Sequence, residues 1–143
     1  MGVGAVFSHW LSRAFPKQTL GRRGEAAAAR FLKRRGYRIV ARGQRLRGGE
    51  IDIVAVAPNR TIVFVEVKTR ETDQLGHPAE AVNAAKQRRL TRLAVTYLKC
   101  RGLLEYASRF DVIAVIWPKG KWFPRIEHFE NAFEAVGKGE LYS

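Results

Sequence analysis

The stretch from residue 49 to residue 70 constrains the fold of this chain more than any other. It contains two runs rich in valine and isoleucine, and Pro58-Asn59 between them is a turn signal. Two such runs around a short turn predict a β-hairpin. Each run carries an acid that an apolar strand does not need, Asp52 in the first and Glu66 in the second. The hairpin is therefore expected to bring two carboxylates together at the end of a hydrophobic sheet.

Side chains two positions apart in a strand share a face, so Lys68 is expected on the same side as Glu66, Phe64 and Ile62. Carboxylates in apolar surroundings are unfavourable unless they are paired or bind a cation. Hard oxygen ligands suit Mg²⁺ or Mn²⁺, and a nearby ammonium can orient a metal-bound water or stabilise charge on a phosphate. The alternative is an ordinary strand edge, with Asp52 in water and the Glu66 and Lys68 side chains facing solvent.

The charge balance indicates a polyanionic partner. The 143 residues are enough for one domain with its own core, and they include 26 Lys and Arg against 13 Asp and Glu, a formal net charge of +13. Nucleic acid is the leading candidate. The alternatives are an anionic membrane surface, reached through residues 3–15, and a charge that serves only solubility. No run of about eighteen apolar residues is present, so no membrane span is expected.

Cysteine content and the chain ends predict location and organisation. The single cysteine, Cys100, cannot form an internal disulfide and is expected to be a packed thiol in a reducing compartment, which predicts a cytoplasmic protein. Residues 1–20 are expected to form an N-terminal extension, either a short helix or a disordered segment, without the features of a secretory signal. Residues 21–136 are expected to form one domain, and residues 137–143 a polar tail.

Two helices are predicted, one on each side of the hairpin in the sequence. Residues 22–35 are rich in alanine and arginine, which favour helix, and Gly36 is predicted to end it. Glu25 falls on the apolar face of this helix, where it either needs a partner or suits the positive end of the helix dipole. A second helix is predicted over residues 78–101, and its Lys86 and Gln87 are expected to lie near the sheet.

A short strand over residues 37–41 is predicted to lead into a basic, glycine-rich loop over residues 42–49. Glycine allows close backbone approach to a ligand, and arginine side chains can bind phosphate. A solvated turn is the alternative. The candidate nucleic-acid-binding residues are Arg42, Arg45, Arg47, Arg70 and Lys86.

The last third of the chain predicts further strands. Residues 110–117 are almost continuously apolar, which predicts a strand buried on both faces. Asp111 near its start is either functional or paired with Arg109. Residues 122–129 are expected to form an edge strand, and residues 131–136 a helical turn.

The expected element order is α, β, β, β, α, β, followed by the edge strand. Glu25, Asp52 and Glu66-Val67-Lys68, taken in this order, resemble the PD-(D/E)xK nuclease signature, whose superfamily shares an αβββαβ core. Four motifs are similar to those of the small bacterial YraN-like family: Gly-Arg-Arg-Gly-Glu, Gly-Glu-Ile-Asp-Ile-Val-Ala, Phe-Val-Glu-Val-Lys-Thr-Arg and Lys-Gln-Arg-Arg-Leu. The similarity spans roughly residues 20–135, which is most of the chain. It implies an α/β, restriction-endonuclease-like fold with a mixed central sheet flanked by helices.

The resemblance also implies roles for individual residues. Asp52 and Glu66 would bind Mg²⁺ or Mn²⁺, helped by the carbonyl of Val67, and Glu25 would support this metal or a second one. Lys68 would position the attacking water. Gln87 resembles a glutamine that some superfamily members keep near the site. The implied catalytic set is Asp52, Glu66, Lys68, Glu25 and Gln87.

The implied activity is metal-dependent hydrolysis of phosphodiester bonds in nucleic acid, with DNA favoured over RNA. Branched or repair intermediates are the expected substrates, and cleavage of a branched structure implies a homodimer that presents two sites. The alternative is a nucleic-acid-binding protein on a nuclease fold, with little or no cleavage.

Overall fold

The computed structural model describes residues 19–72 and 82–136. In chain order these form α1 (Leu20–Arg34), β1 (Arg38–Leu46), β2 (Gly49–Val56), β3 (Ile62–Arg70), α2 (Ala84–Cys100), β4 (Ser108–Ile116) and β5 (Arg125–Phe133). The strands make one five-stranded sheet in the order β1-β2-β3-β4-β5. Strands β3 and β4 are parallel, and the other neighbours are antiparallel. The predicted α/β class, mixed sheet and α, β, β, β, α, β order are confirmed.

The two helices cover opposite faces of the sheet. Side chains on opposite faces of β3 and β4 enter two separate clusters, as strand geometry requires. One cluster joins α1 to the sheet through Ala28, Leu32, Ile53, Val63 and Ile113. The other joins α2 to it through Leu93, Tyr97, Val54, Phe64 and Val112. Residues 110–117 are all buried, which confirms the strand predicted to be covered on both faces.

Helix α1 approaches β3 very closely at Gly24. A Cβ added to this glycine would lie 1.9 Å from Thr69 Oγ1, and Gly24 is buried. A glycine inside a helix costs roughly 1 kcal/mol relative to alanine, so the close contact is the physical reason for it. The contact also brings the next residue, Glu25, toward the end of β3.

Local signals placed several chain reversals correctly. The β2–β3 turn lies at Pro58-Asn59, where the Ala57 amide donates to the Thr61 carbonyl at 2.9 Å. Helix α1 ends before Gly36, which has φ +86° and donates to the Lys33 carbonyl. Glycine adopts this left-handed conformation without steric cost.

The end of β1 and the start of α2 differ from the sequence predictions. The expected glycine-rich loop is wrong, because β1 continues to Leu46 and pairs with β2 through Arg42 and Arg45, which leaves a turn at residues 47–48. Helix α2 begins at Ala84 rather than in a continuous helix from residue 78. Asn83 is itself extended, with φ −71° and ψ 172°, and its side chain caps the helix by accepting a hydrogen bond from the Lys86 amide.

Two predictions further along are also wrong. Residues 131–133 are not a helical turn, because β5 runs from Arg125 to Phe133 and pairs with β4. Cys100 is exposed at the end of α2 rather than packed. The predictions for residues 1–18 and 137–143, and for the segment around Pro78, lie outside the described residues. Within the described ranges, neither helix is long and apolar enough to cross a membrane.

A buried polar network holds β4 against a bulge in β5. Asp111 is fully buried, and Arg109 Nε donates to it at 3.0 Å. His128 Nε2 lies 2.7 Å from the other carboxylate oxygen, and the Asn131 amide donates at 2.9 Å. Burial acts to raise the pKa of Asp111, but the hydrogen bonds from these three groups outweigh it and hold that pKa below its usual value. Of the two predictions for Asp111, pairing with Arg109 is confirmed.

Candidate functional site

Strands β2 and β3 part where their acids lie. Their regular pairing ends at Ile53 and Val65. Beyond this point the Val67 amide donates to Asp52 Oδ2 at 2.9 Å, so a carboxylate takes the place of a strand carbonyl. Asp52 is thereby anchored beside Glu66, at the opening between the two strands.

Two lysine side chains hold Glu66. Its Oε1 lies 2.6 Å from Lys86 Nζ and 3.6 Å from Lys68 Nζ. The side chain of Glu66 is 9% exposed and that of Lys68 is 14% exposed. The alternative of a solvent-facing pair is therefore wrong. The hairpin has placed an acid and an ammonium inside the protein.

These side chains line one cleft of about 440 Å³, which we call the Asp52 cleft. The hairpin supplies Asp52 and Glu66, while α1 supplies Glu25 from beside Gly24. Lys86 comes from the first turn of α2. The charged residues lining the cleft are Arg22, Glu25, Asp52, Glu66, Lys68, Arg70 and Lys86.

Glu50 lies beside the Asp52 cleft, next to two of its acids, and was not among the residues predicted from the sequence. Glu50, Glu25 and Asp52 each place one carboxylate oxygen within 4.8 Å of the others. Glu50 lies two residues before Asp52 in β2, so the strand period that put Asp52 near Glu66 was also a signal for Glu50. Two arginines lie alongside, with Arg42 Nε 3.9 Å from Glu25 Oε1 and Arg45 Nε 3.7 Å from Glu50 Oε2.

Charges in the Asp52 cleft perturb one another. Burial, and then the nearby charge of Glu66, raises the pKa of Asp52 to about 7. Burial also raises the pKa of Glu25. Burial and the neighbouring Lys86 lower the pKa of Lys68. Burial acts to lower the pKa of Lys86, but its hydrogen bond to Glu66 and the nearby charges of Glu66 and Asp52 act together with its contact to Lys68 to raise that pKa.

Two of the residues named by the resemblance meet other partners. Gln87 Nε2 donates to the Val82 carbonyl at 2.9 Å, at the start of α2. Val67 contacts Asp52 through its amide N–H rather than its carbonyl. The roles of the Gln87 side chain and the Val67 carbonyl stay predictions.

The predicted nucleic-acid-binding residues fall in three places. Arg70 and Lys86 line the Asp52 cleft. Arg42 and Arg45 line a neighbouring cleft of about 410 Å³, which also includes Glu25 and Glu50. Arg47 is exposed at the turn between β1 and β2. Four of the five therefore lie at the acidic group or next to it.

The donor set fits a hard divalent cation. Glu25, Glu50 and Asp52 offer only carboxylate oxygens, which Mg²⁺ and Mn²⁺ prefer, and no histidine or thiolate belongs to this group. The raised pKa of Asp52 reflects burial and repulsion between acids. A bound cation offsets both the cost of burying the carboxylate charge and the repulsion. Glu66 has its Oε1 on Lys86 instead. These residues could accommodate one ion of this class.

Residues 24–115 match the family described as "Uncharacterised protein family UPF0102". The chain belongs to the UPF0102 family. A UPF0102 protein of Rhodopirellula baltica is 51% identical over 125 residues, which cover 86% of this chain and 75% of the relative. One of Geobacter sulfurreducens is 50% identical over 117 residues, which cover 80% of this chain and 88% of the relative. The resemblance to the YraN-like family is confirmed.

Solved structures similar to this UPF0102 chain are distant. A repair endonuclease from Pyrococcus abyssi has a TM-score of 0.37 at 16% identity, and the match covers 73% of this chain and 41% of that protein. An EndoMS–dsDNA2 complex has a TM-score of 0.37 at 17% identity, covering 67% and 37%. This chain thus spans less than half of either protein. The activity of this chain does not follow from theirs.

Proposed function

We propose that this protein is a metal-dependent nuclease that hydrolyses phosphodiester bonds in DNA, with branched or repair intermediates as substrates. The observation that carries the proposal is the acidic pair of half-buried Asp52 and buried Glu66, which lies beside Lys68 in the Asp52 cleft. Such a pair does not stabilise the fold, because burial and repulsion from Glu66 raise the pKa of Asp52 to about 7. Groups held against their electrostatic preference cluster at functional sites.

Asp52 and Glu25 are the proposed metal ligands. Glu50 lies beside them in β2, and Glu66 lies in the neighbouring strand β3. A Mg²⁺ or Mn²⁺ ion, when bound, supplies a water of lowered pKa and neutralises charge on the phosphate. Lys68, whose pKa is lowered, would donate hydrogen bonds from Nζ to the attacking water and a phosphate oxygen. The Val67 amide keeps Asp52 oriented.

The basic rim of the cleft supports a polyanionic substrate. Arg22 and Arg70 line the Asp52 cleft, and guanidinium groups pair well with phosphate oxygens. The net charge of +13 adds long-range attraction that weakens with salt. For a branched substrate with two strands to cut we further propose a homodimer, which sedimentation of the DNA complex would detect. The proposed location is the cytoplasm.

The test is cleavage of linear, flapped and four-way-junction DNA with Mg²⁺ or Mn²⁺. The wild type should cut and EDTA should stop it. Lys68→Ala should cut at least about 100-fold more slowly while still binding, since removing one positioned hydrogen-bond donor costs about 10²–10³-fold in rate. Lys99→Ala is the matched control, because Lys99 is exposed in the last turn of α2. Absence of cutting by the wild type, or equal cutting by Lys68→Ala, contradicts the proposal.

A second function is favoured by one contact. Lys86 Nζ lies 2.6 Å from Glu66 Oε1, so a cation belonging to the protein already neutralises this acid. A protein that binds nucleic acid without cleaving it would have this arrangement and would need no metal. Equal, salt-sensitive binding by the wild type and Lys68→Ala, with no cleavage by either, is the result expected for this function.

A further inference from the structure

The connection between β4 and β5 presents two adjacent aromatic side chains to solvent. Trp122 is 87% exposed and Phe123 is 85% exposed, whereas the other exposed large hydrophobic side chains that the structure describes reach 59% at most. Large aromatic rings normally bury most of their surface. We call Trp122 and Phe123 the aromatic pair. Their exposure indicates a surface that binds a partner.

The segment that carries the aromatic pair is pinned at its base. The Trp117 indole Nε1 donates to the Lys121 carbonyl at 2.9 Å, and the Lys121 amide donates to the Pro118 carbonyl at 3.2 Å. The Arg23 guanidinium lies 4.2 Å above the Trp117 ring. The aromatic pair therefore follows directly from an anchored turn.

This base adjoins the Asp52 cleft. The Trp117 amide donates to the Arg70 carbonyl at 2.7 Å, and Arg70 lines that cleft. Arg22, which precedes the stacked Arg23, lines it as well. The aromatic pair thus extends from the edge of the sheet where the candidate catalytic groups lie.

The surroundings of the aromatic pair are basic. Lys119 and Lys121 precede it in the sequence, and Arg125, whose Nε lies 3.7 Å from Glu127 Oε1, follows it. Phe123 also lines a hollow of about 260 Å³ with Arg30 and Arg34 of α1, and the described side chains lining this hollow include no acid. Cationic side chains beside exposed rings are the arrangement by which proteins hold single-stranded nucleic acid, with phosphates on the cations and bases stacked on the rings.

We propose that Trp122 and Phe123 form a stacking platform for unpaired bases of the nucleic acid whose backbone lies in the Asp52 cleft. The proposal rests on the proposed function, and it narrows the substrate class to strands with unpaired bases next to the cleavage site. Bases inside a duplex already stack on one another, so they offer no free face to the platform.

The test compares binding of a labelled single strand with binding of the matching duplex, by fluorescence anisotropy in EDTA, where no cleavage occurs. Trp122→Ala/Phe123→Ala should bind the single strand at least about thirtyfold more weakly and the duplex nearly as well as the wild type, since stacking on two rings is lost. Trp122→Phe/Phe123→Tyr keeps two rings and should retain most of the binding. Tyr106→Ala is the control, because Tyr106 is 59% exposed before β4, at the other end of that strand.

The proposal is overturned if the double alanine variant binds both probes as the wild type does, or loses both equally, or if Tyr106→Ala has the same effect. It is also overturned if the aromatic pair instead mediates self-association or binding to anionic vesicles, each of which the double alanine variant would abolish. Cleavage is scored separately with Mg²⁺. Single-strand binding that depends on the rings, without cleavage, refutes the nuclease and supports the stacking platform. Cleavage together with single-strand binding that does not depend on the rings supports the nuclease and refutes the platform.

Discussion

Replacing Asp52 with asparagine should stabilise the metal-free protein at alkaline pH. Burial and Glu66 raise the pKa of Asp52 from 3.8 to about 7, so the folded protein holds the proton more tightly than the unfolded chain does. The stabilisation from this tighter proton is complete below about pH 4 and is lost as pH rises through about 7. At pH 8 the ionised carboxylate therefore opposes folding.

The magnitude follows from the shift. About three pKa units at about 1.4 kcal/mol each give an upper limit of about 4 kcal/mol, and relaxation of the ionised cleft is expected to reduce this to about 2 kcal/mol. Asparagine stays neutral at every pH. Its side-chain oxygen can still accept the Val67 amide, which donates to Asp52 at 2.9 Å. The variant thus removes the charge and keeps the anchor.

Urea unfolding in EDTA at pH 4 and pH 8 measures the effect. Asp52→Asn should match the wild type within about 1 kcal/mol at pH 4 and exceed it by about 2 kcal/mol at pH 8. Glu105→Gln is the control, because Glu105 is exposed, and it should show no such divergence. Added Mg²⁺ should stabilise the wild type but not the variant, since an ion that binds the folded state raises stability by mass action.

Two outcomes refute this reasoning. If Asp52→Asn is less stable than the wild type at pH 8, the carboxylate contributes to folding and is a structural group. If the difference is the same at pH 4 and pH 8, ionisation of Asp52 does not cause it.

Three further predictions concern the site and its supports. Mg²⁺ affinity should rise about tenfold per pH unit below about pH 7 and level off above it, because the proton on Asp52 competes with the cation. Calorimetry in buffers of different ionisation enthalpy measures how many protons are released on binding. Gly24→Ala should lower stability by about 2 kcal/mol in thermal unfolding, because the new Cβ would clash with Thr69. Helix propensity alone predicts a gain instead. Adding Thr69→Ala should restore part of the lost stability. Asp111→Asn should cost about 3 kcal/mol at pH 7 by removing the buried carboxylate charge that pairs with Arg109. Because the pKa of Asp111 is lowered, its contribution is present above about pH 4 and is lost as pH falls further, so the difference from the wild type in urea unfolding should shrink at pH 3.

Local physical signals in the sequence determined the frame of this protein. The strand period and the turn at Pro58-Asn59 predicted the hairpin and its acid-bearing faces, because side-chain alternation is a property of the strand itself. Gly36 predicted the end of α1, because its left-handed conformation costs glycine nothing. The net charge of +13, which depends on composition alone, predicted a polyanionic partner.

The tertiary structure decided which of these groups meet. Lys86 reaches Glu66 at 2.6 Å, and Glu50 joins Glu25 and Asp52, because α1, α2 and the hairpin converge at one opening of the sheet. The same holds for β1, whose extension to Leu46 depends on pairing with β2 rather than on its own glycine-rich sequence. Period and propensity act within one element, whereas burial, ion pairing and pKa depend on distances between elements, and those exist only once the chain has folded.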